Sequence, residues 1–315
     1  MKHKLDESLD AIKNHFRERN PYAAHLKSHL TLNRMATDDE VIFEIIRRNL
    51  ATKKFDELTG AIDFQICLFD APECTFYVTF FGPNPKQDTT HTYSTMHHHD
   101  DALLSTINAK GPGYNSLIFK KGFNIDKQTN EVEIGLEKYV PHSLFNIEFI
   151  DAQTAHTLFF PKSISMTYAL WSNYLPVNRL TKLKSSPFIQ KNKSLIKKII
   201  RKASVNVESI GIPQQIEDYF YPENGKIKFL SSQILPPTQS NWIQNYFHII
   251  QFTGFNDKNF LKSIYPKYVE EKNNALPYIE KLIEGEVIER NYENYDFNID
   301  KRNVSIDEYR KCYAF

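Results

Sequence analysis

The residues of this chain best equipped for chemistry lie in one run, His91-Thr-Tyr-Ser-Thr-Met-His97-His98-His99-Asp100-Asp101. Side chains of an extended strand alternate between faces, so His91, Tyr93, Thr95, His97 and His99 share one face and His98 takes the other. Two imidazoles two residues apart on one face can reach a single ion. A third ligand must come from elsewhere, and His156, in the strand-like segment DAQTAHTLFF, stands at a sequence distance suited to a neighbouring strand of a barrel. Three neutral imidazoles with open positions suit a catalytic first-row metal better than a closed structural site. Iron(II) is the first expectation, with nickel, copper, manganese and zinc as alternatives.

These histidines need a rigid frame, and the middle of the chain offers one. Between residues 60 and 176 the sequence breaks into short runs rich in Val, Ile, Phe, Tyr and Thr, such as IDFQICLF, TFYVTFF, NSLIFKKG, LFNIEFI and SISMTYALW, separated by GPNP, KGPG and polar turns. Closely spaced strands of this kind predict an antiparallel sandwich or barrel. Residues 1–59 read as a helical extension. There Thr37 and Glu40 are spaced as a capping box ahead of Val41, Ile42, Ile45, Ile46 and Leu50, which form one apolar stripe. Residues 177–315 read as mainly helical, with SLIKKIIRKAS, NWIQNYFHIIQF and PYIEKLIEGEVI as the clearest segments and a terminal helix opening at Ser305–Glu308. Within the second of these, Trp242, Tyr246, Phe247 and Ile250 recur at helical spacing and are expected in a core. This region is expected to serve as a lid over the barrel mouth or as the surface of a homodimer.

Composition narrows the function. In 315 residues, 39 Lys and Arg balance 38 Asp and Glu for a net charge of +1, which provides no global field to draw the protein onto nucleic acid or an anionic membrane. The basic face of SLIKKIIRKAS is read as a solvated helix surface. No segment carries the roughly 18 or more consecutive apolar residues of a membrane span, and MKHKLDESLDAIKNHF lacks a signal-peptide core, so the expected location is cytoplasmic. Cys67, Cys74 and Cys312 are odd in number and show no metal-type pairing, which suits reduced thiols. His142, following Pro141, is expected in a loop.

The segment resembles the cupins, and within them the cysteine dioxygenase-like thiol dioxygenases, a branch with three histidines on non-haem iron. Ser94-Thr-Met-His97-His-His99 is similar to that family's paired-histidine strand. His156-Thr-Leu-Phe-Phe-Pro-Lys-Ser-Ile-Ser-Met-Thr-Tyr-Ala-Leu-Trp-Ser is similar to its third-histidine strand and the strand after it. Gly111 falls where a cupin's first motif has its turn glycine, and Leu103 and Leu104 stand where the commoner cupin motif has a glutamate ligand. The resemblance implies a mainly β core, a cupin-type double-stranded β-helix or jelly-roll barrel with N-terminal helices and a mainly helical C-terminal region. It also implies Fe(2+) held by His97, His99 and His156, and O₂ and a small polar metabolite as partners. The family carries a hydroxyl, an imidazole and a phenol at alternate positions of the last strand, where this chain has Thr167, Ala169 and Trp171. Cysteine is therefore an unpromising substrate. Tyr93, on the inward face, and Thr167, at the place of the hydroxyl, are the candidate catalytic residues.

Two other readings stay open. His99-Asp100-Asp101 with His156 has the form of the His-x-Asp…His triad of 2-oxoglutarate-dependent iron oxygenases. In those enzymes an Arg or Lys holds the cosubstrate about ten residues past the distal histidine, where this chain has Met166. Otherwise Asp100 and Asp101 are turn residues or acceptors that fix a ligand imidazole. The third reading is a cupin module that binds a metal or ligand without turnover.

Overall fold

The computed structural model describes residues 4–17, 20–52, 64–173, 218–230, 242–291 and 304–315, apart from 85, 87, 94 and 100. Three helices open the chain: α1 (Lys4–Phe16), α2 (Pro21–Ala36) and α3 (Asp39–Thr52). The apolar stripe of α3 is buried as its spacing predicts, with Val41, Ile42, Ile45, Ile46 and Leu50 all in the core. The cap lies one residue later than expected. Thr37 ends α2, its hydroxyl donating back to the carbonyls of Asn33 and Arg34, and Asp38 accepts from the Glu40 amide to open α3. Asp38 follows Thr37 directly and is the stronger N-cap acceptor.

The barrel strands are β1 (Phe64–Asp70), β2 (Thr75–Phe81), β3 (Met96–His97), β4 (Ala102–Lys110), β5 (Tyr114–Phe119), β6 (Asn124–Asp126), β7 (Glu131–Glu133), β8 (Leu136–His142), β9 (Ile147–Ile150), β10 (His156–Leu158) and β11 (Ser165–Asn173). A further hairpin, β12 (Tyr219–Glu223) and β13 (Lys226–Leu230), joins them from the C-terminal region. Two antiparallel sheets result, ordered β1-β2-β11-β4-β9 and β6-β7-β13-β12-β3-β10-β5-β8. Curled face to face, they form a double-stranded β-helix of the cupin type with helices at both ends of the chain. Gly111 turns β4 into β5 with φ +85°, and a Cβ there would meet the Ile164 carbonyl oxygen at 2.1 Å, so the turn requires glycine.

The remaining helices are α4 (Trp242–Phe252), α5 (Lys258–Glu270), α6 (Leu276–Glu284) and α7 (Ile306–Cys312). Tyr246, Phe247 and Ile250 are buried, as their spacing predicts. Helices α1 to α6 share one apolar core with the outer face of the five-stranded sheet, through Phe76, Val78, Met166, Tyr168 and Leu170. The C-terminal helices α4 to α6 thus form a back layer with the N-terminal ones. Helix α7 instead packs Tyr309 against the outer face of the eight-stranded sheet, beside Phe119, Phe159 and Phe220. It starts after Ser305, although that side chain makes no capping hydrogen bond. The basic segment SLIKKIIRKAS lies outside the described residues. Among the described residues no helix is long and apolar enough to cross a membrane.

Candidate metal centre

Strand β3 is short but doubly held. His97 sits opposite His156 of β10 on one side and opposite Tyr219 of β12 on the other. His99 follows just past the strand end, where its carbonyl accepts from the Ala102 amide at 2.7 Å as the chain turns into β4. Alternation then does what the spacing predicts. The rings of His97, His99 and His156 converge, with centroids 4.8, 4.6 and 5.1 Å apart for the pairs 97–99, 97–156 and 99–156. One nitrogen from each lies within 4.8 Å of the others. His98 points away, bonded to Asp218 at 3.1 Å and packed on Phe123 and Phe220.

The hydrogen bonds fix the tautomers. His97 Nδ1 lies 2.6 Å from the Thr95 carbonyl oxygen and His156 Nδ1 3.3 Å from that of Thr154. A carbonyl oxygen only accepts, so both Nδ1 atoms carry the proton and both Nε2 lone pairs remain available for an ion. Burial, reinforced by the neighbouring imidazoles, lowers His97 to about 4 and His156 to about 3, and drives His99 well below its ordinary value. All three are therefore neutral at pH 7, the form that binds metal.

The donor set fits a divalent transition metal. The His99 Nδ1 is buried and, among the described residues, without a hydrogen-bond partner, so each of the three rings keeps a nitrogen that could bind an ion. Asp101 does not belong to the cluster, and Asp100 lies outside the described residues.

Two aromatic residues flank the histidines. Trp171 of β11 meets His99 edge to face, centroids 4.6 Å apart, and its indole nitrogen is buried with no partner among the described residues. Such an orphaned donor costs about 1–3 kcal/mol unless something else accepts from it. Tyr219 places its ring 6.2 Å from that of His97, and partial burial raises its phenol. No sequence reading anticipated Tyr219. The signal was present, because YFYPENGKIKFL alternates around Asn224-Gly225, and both residues adopt positive φ in the hairpin turn.

The two candidate catalytic residues lie elsewhere in the barrel. Tyr93 packs against Phe81 and Phe160. Thr167, opposite Thr79 and Asn108, is four residues before Trp171, about 13 Å along the strand. It belongs to a neutral polar layer with Tyr114, whose phenol, raised by burial, faces Thr167 and Thr106. His142, expected in a loop, instead ends β8 inside this layer, buried, stacked on Tyr114 and 3.1 Å from the Thr106 hydroxyl. Pro141 is accommodated within β8, opposite Asn115 of β5. His91 pairs with Asp88 outside the cluster.

No family model matches the chain, and no curated protein matches it. Solved structures do. The cupin domain of Schizosaccharomyces pombe Cnp3 is 7% identical over 35% of this chain and 60% of its own, with a TM-score of 0.24. DMSP lyase DddQ from Ruegeria pomeroyi DSS-3 is 12% identical over 35% of this chain and 46% of its own, with a TM-score of 0.23. KdgF from Halomonas sp. is 11% identical over 38% of this chain and 87% of its own, with a TM-score of 0.25. This chain thus spans less than two thirds of the first two structures, and cupin and double-stranded β-helix proteins recur among the structures it resembles.

Proposed function

We propose that this protein is a metal-dependent cupin enzyme, a mononuclear non-haem iron oxygenase acting on a small polar metabolite, with His97, His99 and His156 as the ligands. The observation that carries the reading is the convergence of three neutral imidazoles, two buried and one half-buried, to within 4.8 Å, two of them oriented through Nδ1 by backbone carbonyls. Iron(II) held by these three residues would bind substrate and O₂ and supply the electron transfer that spin-paired organic molecules need. The chain's own residues do the rest. Rigid carbonyl contacts hold the ligand rings, Trp171 walls the site beside His99, and the Tyr219 phenol stands beside His97, able to donate or accept a hydrogen bond. Neutral ligands leave the ion's charge uncompensated, which favours a substrate that binds as an anion.

The test is metal analysis of protein purified without added metal, then anaerobic iron loading and oxygen-electrode assays. The assays would cover thiols, amines, amino acids and small acids. We expect close to one transition metal per chain and O₂ uptake with a non-thiol substrate. Cysteine should be a poor substrate, because Ala169 and Trp171 offer neither imidazole nor phenol. Uptake that depends on 2-oxoglutarate and is lost in Asp101→Ala would replace this reading with the His-x-Asp…His triad. A metal-loaded protein inert towards the whole panel would favour a binding module.

A further inference from the structure

We propose that the indole N–H of Trp171 is the hydrogen-bond donor to a small anionic ligand bound on the metal, which makes Trp171 the residue that positions substrate there. This inference rests on the tri-histidine reading. Trp171 reaches the site from the five-stranded sheet, whereas two of the three histidines belong to the eight-stranded one. Its ring contacts His99, the ligand whose own Nδ1 has no partner. The residue is more than nine-tenths buried, and its indole nitrogen finds no acceptor among the described residues. It packs among Ala102, Leu104, Ile118, Ile150 and Ala169, with Tyr77 and Val140 against them. We take the missing acceptor to arrive with a ligand.

Electrostatics gives that ligand its sign. Three neutral imidazoles cannot offset a divalent charge, and among the described residues no carboxylate joins them in the cluster. A buried charge is stable only when paired, so an anion on the open positions both balances the ion and supplies the acceptor that Trp171 lacks. An indole N–H can only donate, so it discriminates against ligands that present a donor at this point. The chemical class is a small carboxylate or comparable oxygen anion with a compact apolar body.

Azide can serve as the probe anion. In cobalt-loaded protein, azide titration followed by visible absorption gives an affinity, and Trp171→Phe keeps an aromatic wall while removing the donor. Hydrogen bonds to charged groups imply a loss of about tenfold or more in azide affinity, with cobalt content unchanged. The azide stretching frequency should shift between the two proteins. A second measurement, made on the wild type, stands beside this. The chain has two tryptophans, and azide added to zinc-loaded wild type should move one indole N–H resonance downfield, the one absent from Trp171→Phe. Unchanged azide affinity, or two indole signals that ignore azide, would overturn the proposal. So would loss of cobalt from the variant with no indole response in wild type, since Trp171 would then only support His99. Failure of the wild type to bind cobalt or zinc at all would strike the metal reading itself and is distinct from each of these.

Discussion

At the scale of single residues, the tri-histidine cluster makes two claims that metal binding can check. Replacing His97, His99 or His156 by Ala removes one of three ligands and should strip most of the metal. His98→Ala should leave it in place while costing about 1–2 kcal/mol of stability, because His98 bonds Asp218 and packs on Phe123 and Phe220 instead. Equal metal loss from all four variants, measured by elemental analysis, would contradict the alternation that separates His98 from its neighbours. The second claim concerns pH. Burial lowers His97 to about 4 and His156 to about 3, so protons compete with metal only near those values rather than near the ordinary 6.5. Metal affinity should stay nearly flat as pH falls from 8 to about 5 and collapse below that, provided the fold persists; a decline beginning at about 6.5 would mean the imidazoles are hydrated in the apo protein. The convergence of the three histidines was legible in the sequence, because strand parity puts His97 and His99 on one face and the position of His156 suited a neighbouring strand. Trp171 was legible only as a departure from a family pattern, and its orphaned N–H needed coordinates.

At the scale of elements, a buried imidazole helps to seat α2 on the five-stranded sheet. His25 bridges Ser105 of β4 at 2.8 Å and Ser172 of β11 at 2.9 Å, and its ring packs on Phe16 and Phe149. Burial, with His29 nearby, lowers it to about 3. The sign follows from proton counting. Between pH 6.5 and 3 the unfolded chain protonates this histidine and the folded one does not, so stability is complete above 6.5 and declines as pH falls. By pH 5 the loss from this residue reaches about 2 kcal/mol. Denaturant titrations of His25→Gln should give lower stability at pH 7.5 and a shallower decline towards pH 5 than wild type; parallel pH profiles would remove His25 as the cause. Elements as such were readable wherever periodicity was long, as in α3, α4 and α6. They were less readable where local chemistry competed. Asp38 took the cap from Thr37, and the Asn224-Gly225 hairpin lay hidden in a region whose other segments are helical. Pro141 suggested a loop at His142, where the strand pairing of β8 prevails.

At the scale of the whole molecule, the C-terminal segments complete the wall that carries the histidines. Strand β12 pairs with β3, and residues 304–306 bond along the run that leads into it. Thr92 donates to the Val304 carbonyl, Val304 to the Thr92 hydroxyl and Ile306 to the Thr90 carbonyl. Helix α7 fastens this stretch by burying Tyr309 against Phe119 and Phe159, and Tyr313 donates to the Ile134 carbonyl at 2.6 Å. These contacts span more than 120 residues of sequence, which no local pattern could announce. The back layer has an equivalent anchor in Tyr268, fully buried, whose hydroxyl donates to the Leu50 carbonyl at 2.6 Å. Tyr309→Ala and Tyr268→Ala should each cost about 3–5 kcal/mol, since each empties a large buried site. Their effects on the metal should differ. Tyr309→Ala loosens the flank of β3 and should weaken metal binding at temperatures well below the melt. Tyr268→Ala disturbs only the far side of the five-stranded sheet and should leave metal affinity unchanged until the chain unfolds. Isothermal metal titrations of both variants at 15 °C, paired with melts of apo and loaded protein, separate the two. Equal metal affinity in both would mean that the β3–β10 pairing alone sets the ligand geometry and that the C-terminal wall serves stability only.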